Sequence, residues 1–165
     1  MSFEELYDKY FARIYNYLRY RLIARDAADD LAEAVFEKVL DKYGTFDPGR
    51  HGLEPWLFAI ARNTLNDYFR RKKVRGWLTL GGREESLVSP ESVEGAAQRS
   101  EENALLLAAL ARLPEQERDL IAMKFTLEMN NREIAAETGL GESNVGVILF
   151  RAMKKLREIL GPESL

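Results

Sequence analysis

Between Val74 and Ser100 the helical pattern of this sequence stops. This stretch of 27 residues is rich in Gly, Ser, Pro and Glu, whereas both flanks repeat apolar side chains every three or four positions. Flanks of 73 and 65 residues each suit one small helical core. The sequence therefore predicts an all-α protein of two small helical domains, residues 1–73 and 101–165, joined by a flexible linker, residues 74–100.

Three helices are predicted in residues 1–73. Apolar periodicity indicates the first from Phe3 to Leu22 and the second, which Asp26 can cap, to Tyr43. The loop "GTFDPGRHGLEP" follows, and Pro55 suits the first turn of a third helix. The predicted buried face of this helix is Trp56, Leu57, Ile60, Ala61, Thr64, Leu65 and Tyr68. We expect these three helices to close a small core.

The C-terminal part contains a predicted helix-turn-helix. Asn130 and Glu133 have the spacing of a capping box, Gly139 can supply a tight turn, and Ser143 can cap a last helix that ends near Leu160. In such a motif the second helix enters the major groove of DNA. This pattern predicts that the segment binds duplex DNA. As a sequence signal it is only moderately specific, because many helical bundles contain a helix, a glycine turn and another helix.

The formal net charge of −3 conceals a basic segment. Residues 62–75 carry six cations and one anion, and four of the cations, Arg70–Lys73, are consecutive. A helix dipole accounts for one or two cations at a helix end, whereas a cluster of this size is typical of contact with nucleic acid or with an acidic partner. Asn63 and Asn66 on the same helix carry amides suited to base edges. A second basic segment, with Arg151, Lys154, Lys155 and Arg157, ends the last helix.

The acidic group Asp29, Asp30, Glu33 and Glu37 allows an enzymatic alternative, because carboxylates on one helix face can share a magnesium ion. The sequence offers no second set of oxygen ligands, no cysteine, and one histidine, His51, in a loop. No apolar run approaches the ~20 residues that span a bilayer. We therefore expect a non-enzymatic cytoplasmic protein with no cofactor, no metal and no membrane insertion.

Three segments together resemble the extracytoplasmic-function (ECF) branch of the sigma-70 family of bacterial sigma factors. "DAADDLAEAVFEKVL" is similar to the helix that binds core RNA polymerase, and "PWLFAIARNTLNDYFRRKK" to the promoter-melting helix. "LPEQERDLIAMKF", "NREIAAETGLGESNV" and "LFRAMKKLRE" resemble the C-terminal promoter-reading domain. A self-sufficient helix-turn-helix regulator, which binds duplex DNA tightly without polymerase, is the main alternative.

The resemblance implies core RNA polymerase and promoter DNA as partners, together with an anti-sigma factor. The residues it implies for core-polymerase binding are Asp30, Leu31, Glu33, Val35 and Glu37. For the minus-ten element and its melting they are Arg50, Arg62, Asn63, Asn66, Arg70, Arg71, Lys72 and Lys73. For the minus-thirty-five element they are Ser143, Asn144, Gly146, Val147, Arg151, Lys154 and Lys155.

Two departures from the family pattern affect these expectations. Glu33-Ala34 replaces the usual glutamine-glutamate pair of the polymerase-binding helix. In the last helix, Asn144 to Ile148 replace a threonine-valine pair followed by basic residues. Gly146 is expected to allow close approach of the backbone to DNA, with Val147 against a thymine methyl group.

Overall fold

The computed structural model describes residues 1–78 and 97–161, in which every regular element is an α-helix. The helices are α1 (Phe3–Arg21), α2 (Arg25–Tyr43), α3 (Leu53–Leu78), α4 (Ala97–Ala111), α5 (Glu115–Phe125), α6 (Asn131–Thr138) and α7 (Glu142–Leu160). Unit 1 contains residues 1–18 and the described residues of 24–87, and unit 2 contains residues 19–23 and the described residues of 88–165. The predicted all-α class is confirmed.

Unit 1 has a core built from one face of each of its three helices. Leu6, Ile14, Val35, Leu57 and Leu65 are all fully buried. The predicted inner face of α3 is confirmed at Leu57, Ile60, Ala61, Thr64 and Leu65, which are buried, whereas Trp56 and Tyr68 are half-buried. The periodicity therefore identified the core, because burial of a continuous apolar stripe stabilises each helix against its neighbours.

The start of α3 is fixed to α1 by polar contacts. The Tyr10 hydroxyl donates to Glu54 Oε1 at 3.0 Å, and Arg13 Nη1 donates to the same oxygen at 3.2 Å. Burial, with a further contribution from Glu54, raises the pKa of Tyr10, so this hydroxyl keeps its proton and remains a donor. Farther along α3, Lys38 Nζ donates to Thr64 Oγ1 at 3.3 Å. These contacts set the direction of α3, and with it the position of the side chains on its outer face.

Unit 2 contains the predicted helix-turn-helix, formed by α6, a turn at Gly139 and α7. The capping box is present: Glu133 N donates to Asn130 Oδ1, and Asn130 N donates to Glu133 Oε2, both at 2.8 Å. Gly139 has φ 77°, a left-handed conformation that glycine adopts without a steric penalty. Ile134 and Leu149 bury α6 and α7 in the core of this unit. Local sequence signals therefore determine this motif.

Two predicted N-caps were wrong. Helix α2 begins at Arg25 after Ala24, and α7 begins at Glu142 after Gly141, neither with a side-chain capping bond. Asp26 lies instead in the first turn of α2, where its charge complements the helix dipole. Ser143 lies inside α7, and its side chain is exposed. Both helices therefore begin before the residue that was predicted to cap them.

Helical structure extends into both ends of the segment predicted as a linker. Helix α3 continues to Leu78, and α4 begins at Ala97. Val74 and Arg75 are compatible with a helical conformation. Gly76 lowers helix stability by about 1 kcal/mol relative to alanine, which is too little to end a helix that has already formed. The rest of the predicted linker, residues 79–96, lies outside the described residues.

Candidate nucleic-acid interface

One line of polar side chains runs along the outer face of α3. Asn63, Asn66, Arg70 and Lys73 follow one another at steps of three, four and three residues, which places them on one side of a helix. All four are exposed, whereas Leu57, Ala61 and Leu65 on the opposite side are buried. We call this line the α3 stripe. It brings two amides and two cations together, as the sequence predicted.

The other predicted cations lie on α3 itself or in the loop before it. Arg71 and Lys72 are exposed on the same helix, and Arg62 is half-buried. Arg70 Nη2 lies 2.7 Å from Asp67 Oδ1, an exposed pair that is weak in water and that a phosphate can replace. Arg50, in the loop before α3, is highly exposed, and its Nε lies 3.7 Å from Asp47 Oδ2. The end of α3 therefore carries a positive excess suited to a polyanion.

Helix α2 presents the opposite charge. Asp30, Glu33 and Glu37 are exposed along its outer face, and Tyr15 donates a hydrogen bond to exposed Asp29 at 2.7 Å. The predicted binding roles of Leu31 and Val35 need correction, because Leu31 is 9% exposed and Val35 is fully buried. These two side chains hold α2 in the core. Asp30, Glu33 and Glu37 therefore make the outer face of α2 acidic.

Two further findings concern metals and membranes. Within residues 1–78 and 97–161, no group of three or more His, Cys, Asp or Glu side chains is placed to hold a metal ion. In the same ranges no helix combines the length and apolar character needed to cross a membrane.

A second line of exposed residues runs along α7. Ser143, Val147, Phe150 and Lys154 follow at steps of four, three and four residues, opposite the buried Val145, Leu149, Ala152 and Leu156. We call this line the α7 stripe. Val147 is 46% exposed and Phe150 is 70% exposed. Sequence reasoning missed Phe150, although its spacing from Val147 and Ser143 places it on the same helix face.

The remaining predicted residues of α7 differ in their surroundings. Asn144 and Arg151 are exposed beside the α7 stripe. Lys155 Nζ, in contrast, lies 2.8 Å from Glu117 Oε1, whose side chain is 13% exposed, so this lysine stabilises unit 2. A Cβ atom at Gly146 would lie 3.6 Å from Asn131 Nδ2. Gly146 therefore faces the start of α6 at the edge of the α7 stripe.

Comparison with known proteins identifies both units. The model of Sigma-70 region 2 matches residues 6–75, and that of Sigma-70, region 4 matches residues 103–156. The ECF RNA polymerase sigma factor RpoE of Cereibacter sphaeroides is 31% identical over 160 residues, which cover 95% of this chain and 85% of the relative. SigX of Bacillus subtilis is 30% identical, with 95% and 82% covered. The chain belongs to the ECF family of RNA polymerase sigma factors.

Other matches agree with this family. BldN, an ECF sigma factor of Streptomyces coelicolor, is 30% identical over 99% of this chain, which spans 62% of the length of BldN. Among solved structures, the sigma factor RpoE of Bartonella quintana, in complex with the anti-sigma factor NepR, matches with a TM-score of 0.78 at 22% identity, with 96% of each chain covered. CnrH in complex with the cytosolic domain of CnrY matches with a TM-score of 0.63 at 23% identity, with 96% and 86% covered. These two structures share the fold.

Proposed function

We propose that this chain binds core RNA polymerase through α2 and opens promoter DNA with α3, without catalysing a reaction itself. The opposite charge of two exposed faces in unit 1 supports this division. The acidic face of α2, with Asp30, Glu33 and Glu37, repels phosphate, so it suits a basic protein surface. The α3 stripe and its neighbouring cations attract phosphate.

The α3 stripe has the chemistry that separated DNA strands require. Taking a base out of the stack costs a few kcal/mol, which binding to the opened strands must offset. Arg70–Lys73 can hold phosphates, and the amides of Asn63 and Asn66 can form two hydrogen bonds each with an unpaired base. Arg62 on the same helix and Arg50 in the preceding loop add two further cations. Unit 1 thus combines phosphate binding with base capture at the minus-ten element.

Unit 2 is proposed to bind the minus-thirty-five element as a duplex. Its helix-turn-helix presents the outer face of α7, with Ser143 and Asn144 exposed in the first turn. Arg151 and Lys154 are exposed two turns later, where they can contact the phosphates that border the groove. Lys155 contributes less, because Glu117 neutralises it.

We further propose control by an anti-sigma factor. The related fold of Bartonella quintana RpoE was solved with such a protein bound. A partner that covers Glu33 and Glu37 on α2 would compete with core polymerase for the same acidic face. Competition between core polymerase and a protein that copurifies with this chain from its source cells tests the proposal.

The decisive experiment is a titration of the fluorescently labelled chain with core RNA polymerase from the source organism, read by anisotropy. We expect saturable binding. Glu33→Arg should weaken it about tenfold or more, because a positive charge on the acidic face of α2 then repels the basic surface of the partner. Asp8→Arg, at an exposed position of α1, is the matched control and should leave the affinity unchanged.

Two outcomes would contradict the proposal. Equal polymerase affinity for folded Glu33→Arg and the parent chain would remove α2 from the interface. Tight, selective binding of duplex DNA by the chain alone, together with no polymerase binding, would favour the self-sufficient helix-turn-helix regulator instead.

A further inference from the structure

The α7 stripe exposes two large apolar side chains on the face of the helix that points away from the core. Val147 is 46% exposed and Phe150 is 70% exposed, one turn apart. The outward face of a surface helix normally carries polar residues. An exposed valine and phenylalanine on this face therefore indicate a surface that a partner covers.

The surroundings of this apolar pair select the partner. Lys154 continues the same line and Arg151 lies beside Phe150, both exposed. An apolar protein surface would have to desolvate these cations without neutralising them, whereas an anionic partner pairs with them. Duplex DNA is anionic and also offers apolar groups, since the C5 methyl group of thymine projects into the major groove. The cations and the apolar pair thus fit one ligand.

We propose that Val147 and Phe150 select thymines in the upstream promoter element by contact with their C5 methyl groups. This inference rests on the proposed function, which places α7 in the major groove. Gly146 has no side chain and Ser143 hydrogen-bonds with little base preference, so the apolar pair reads thymine methyl groups while the exposed amide of Asn144 is left to read hydrogen-bonding groups of other bases. Arg151 and Lys154 then hold phosphates and set the register.

The test changes the DNA and leaves the protein intact. Duplexes that the holoenzyme of this chain and core polymerase binds selectively are enriched from a random pool, and thymines of the upstream element are replaced one at a time by deoxyuridine. This removes a methyl group and keeps every hydrogen-bonding group. We expect affinity to fall about fourfold for each methyl group that α7 contacts.

Protein variants assign the effect to the two side chains. Holoenzyme with Val147→Ala or Phe150→Ala should bind thymine DNA more weakly and should no longer distinguish thymine from deoxyuridine at one position each. Arg151→Ala is the matched control on the same helix. It should weaken binding to both DNAs by the same factor, because a phosphate contact is indifferent to the methyl group.

The possible failures are distinct. Selective duplex binding with equal affinity for thymine and deoxyuridine DNA at every position would overturn the methyl contact and leave the role of α7 in place. A Phe150→Ala variant that loses affinity for core polymerase while keeping its thymine preference would show that this side chain covers a protein surface. A holoenzyme that selects no upstream sequence at all would overturn the proposed role of α7 itself.

Discussion

Helices α3 and α7 present exposed lines of similar geometry but different chemistry. The α3 stripe begins with two amides and ends in cations, with Arg70–Lys73 all exposed. The α7 stripe carries Val147 and Phe150 at its centre and ends in one cation, Lys154, whereas the neighbouring Lys155 is paired with Glu117. The geometry of each helix therefore sets where DNA can lie along it. The residue types in the stripe determine whether that DNA is opened or paired.

This contrast matches what opened and paired DNA expose. Separated strands present flexible phosphates and unpaired bases, which cations and amides bind. A duplex presents fixed groove edges, where one methyl group distinguishes thymine from cytosine and where shape complementarity matters. Salt should consequently affect binding at α3 more than binding at α7.

The largest effect is expected from replacing Arg70–Lys73 together by alanine. Removing up to four phosphate contacts should lower holoenzyme affinity for pre-melted promoter DNA by about 100-fold or more near 0.1 M salt. The slope of log affinity against log salt should fall by about 3 in magnitude, because Arg70 already shares its charge with Asp67. Equilibrium binding over a salt series measures both quantities.

The control for this variant is affinity for core polymerase, which should stay unchanged because α2 is untouched. Permanganate reactivity of promoter thymines should fall in parallel with the loss of DNA affinity. An unaltered salt slope would mean that these cations lie away from the phosphates, and the contrast between α3 and α7 would then fail.

Replacing a single asparagine by alanine should have a smaller effect, a loss of about 1–3 kcal/mol of DNA-binding free energy. Asn63→Ala should weaken holoenzyme binding to pre-melted DNA and spare the isolated upstream duplex, whereas Asn144→Ala should do the reverse. Both side chains are exposed and alanine is the better helix former, so neither change should lower stability. The affinities of both variants for pre-melted and for duplex DNA, measured side by side, check this opposite selectivity. Equal losses on both forms of DNA would contradict it.

Adjacent lysines of α7 provide a matched pair with a still smaller effect. Lys154→Ala should reduce the salt slope of duplex binding by about 1 and leave stability unchanged. Lys155→Ala should instead lower the free energy of unfolding by about 1 kcal/mol, because Glu117 loses its partner while largely buried. Denaturant unfolding and duplex titration of both variants separate the two roles. A loss of stability in Lys154→Ala with a reduced salt slope in Lys155→Ala would contradict these two roles.

Sequence predicted most of this architecture because its signals are local. The capping box at Asn130, the left-handed turn at Gly139 and the inner face of α3 each depend on residues within a few positions of one another. What sequence missed depends on packing. The pairing of Lys155 with Glu117 joins residues 38 positions apart, and no local pattern in the sequence reports it.

Gly146 offers the finest test of the contrast. A Cβ atom there would meet Asn131 Nδ2 at 3.6 Å, an ordinary contact, and Asn131 is itself held by Lys124 Nζ at 3.0 Å. Gly146→Ala should therefore raise the free energy of unfolding by about 0.5–1 kcal/mol, since glycine is the poorer residue in a helix interior. Denaturant unfolding measures this gain. If base reading lies on Val147 and Phe150, duplex affinity should stay the same, whereas a loss of affinity in this stabilised variant would show that the backbone at Gly146 approaches the DNA closely.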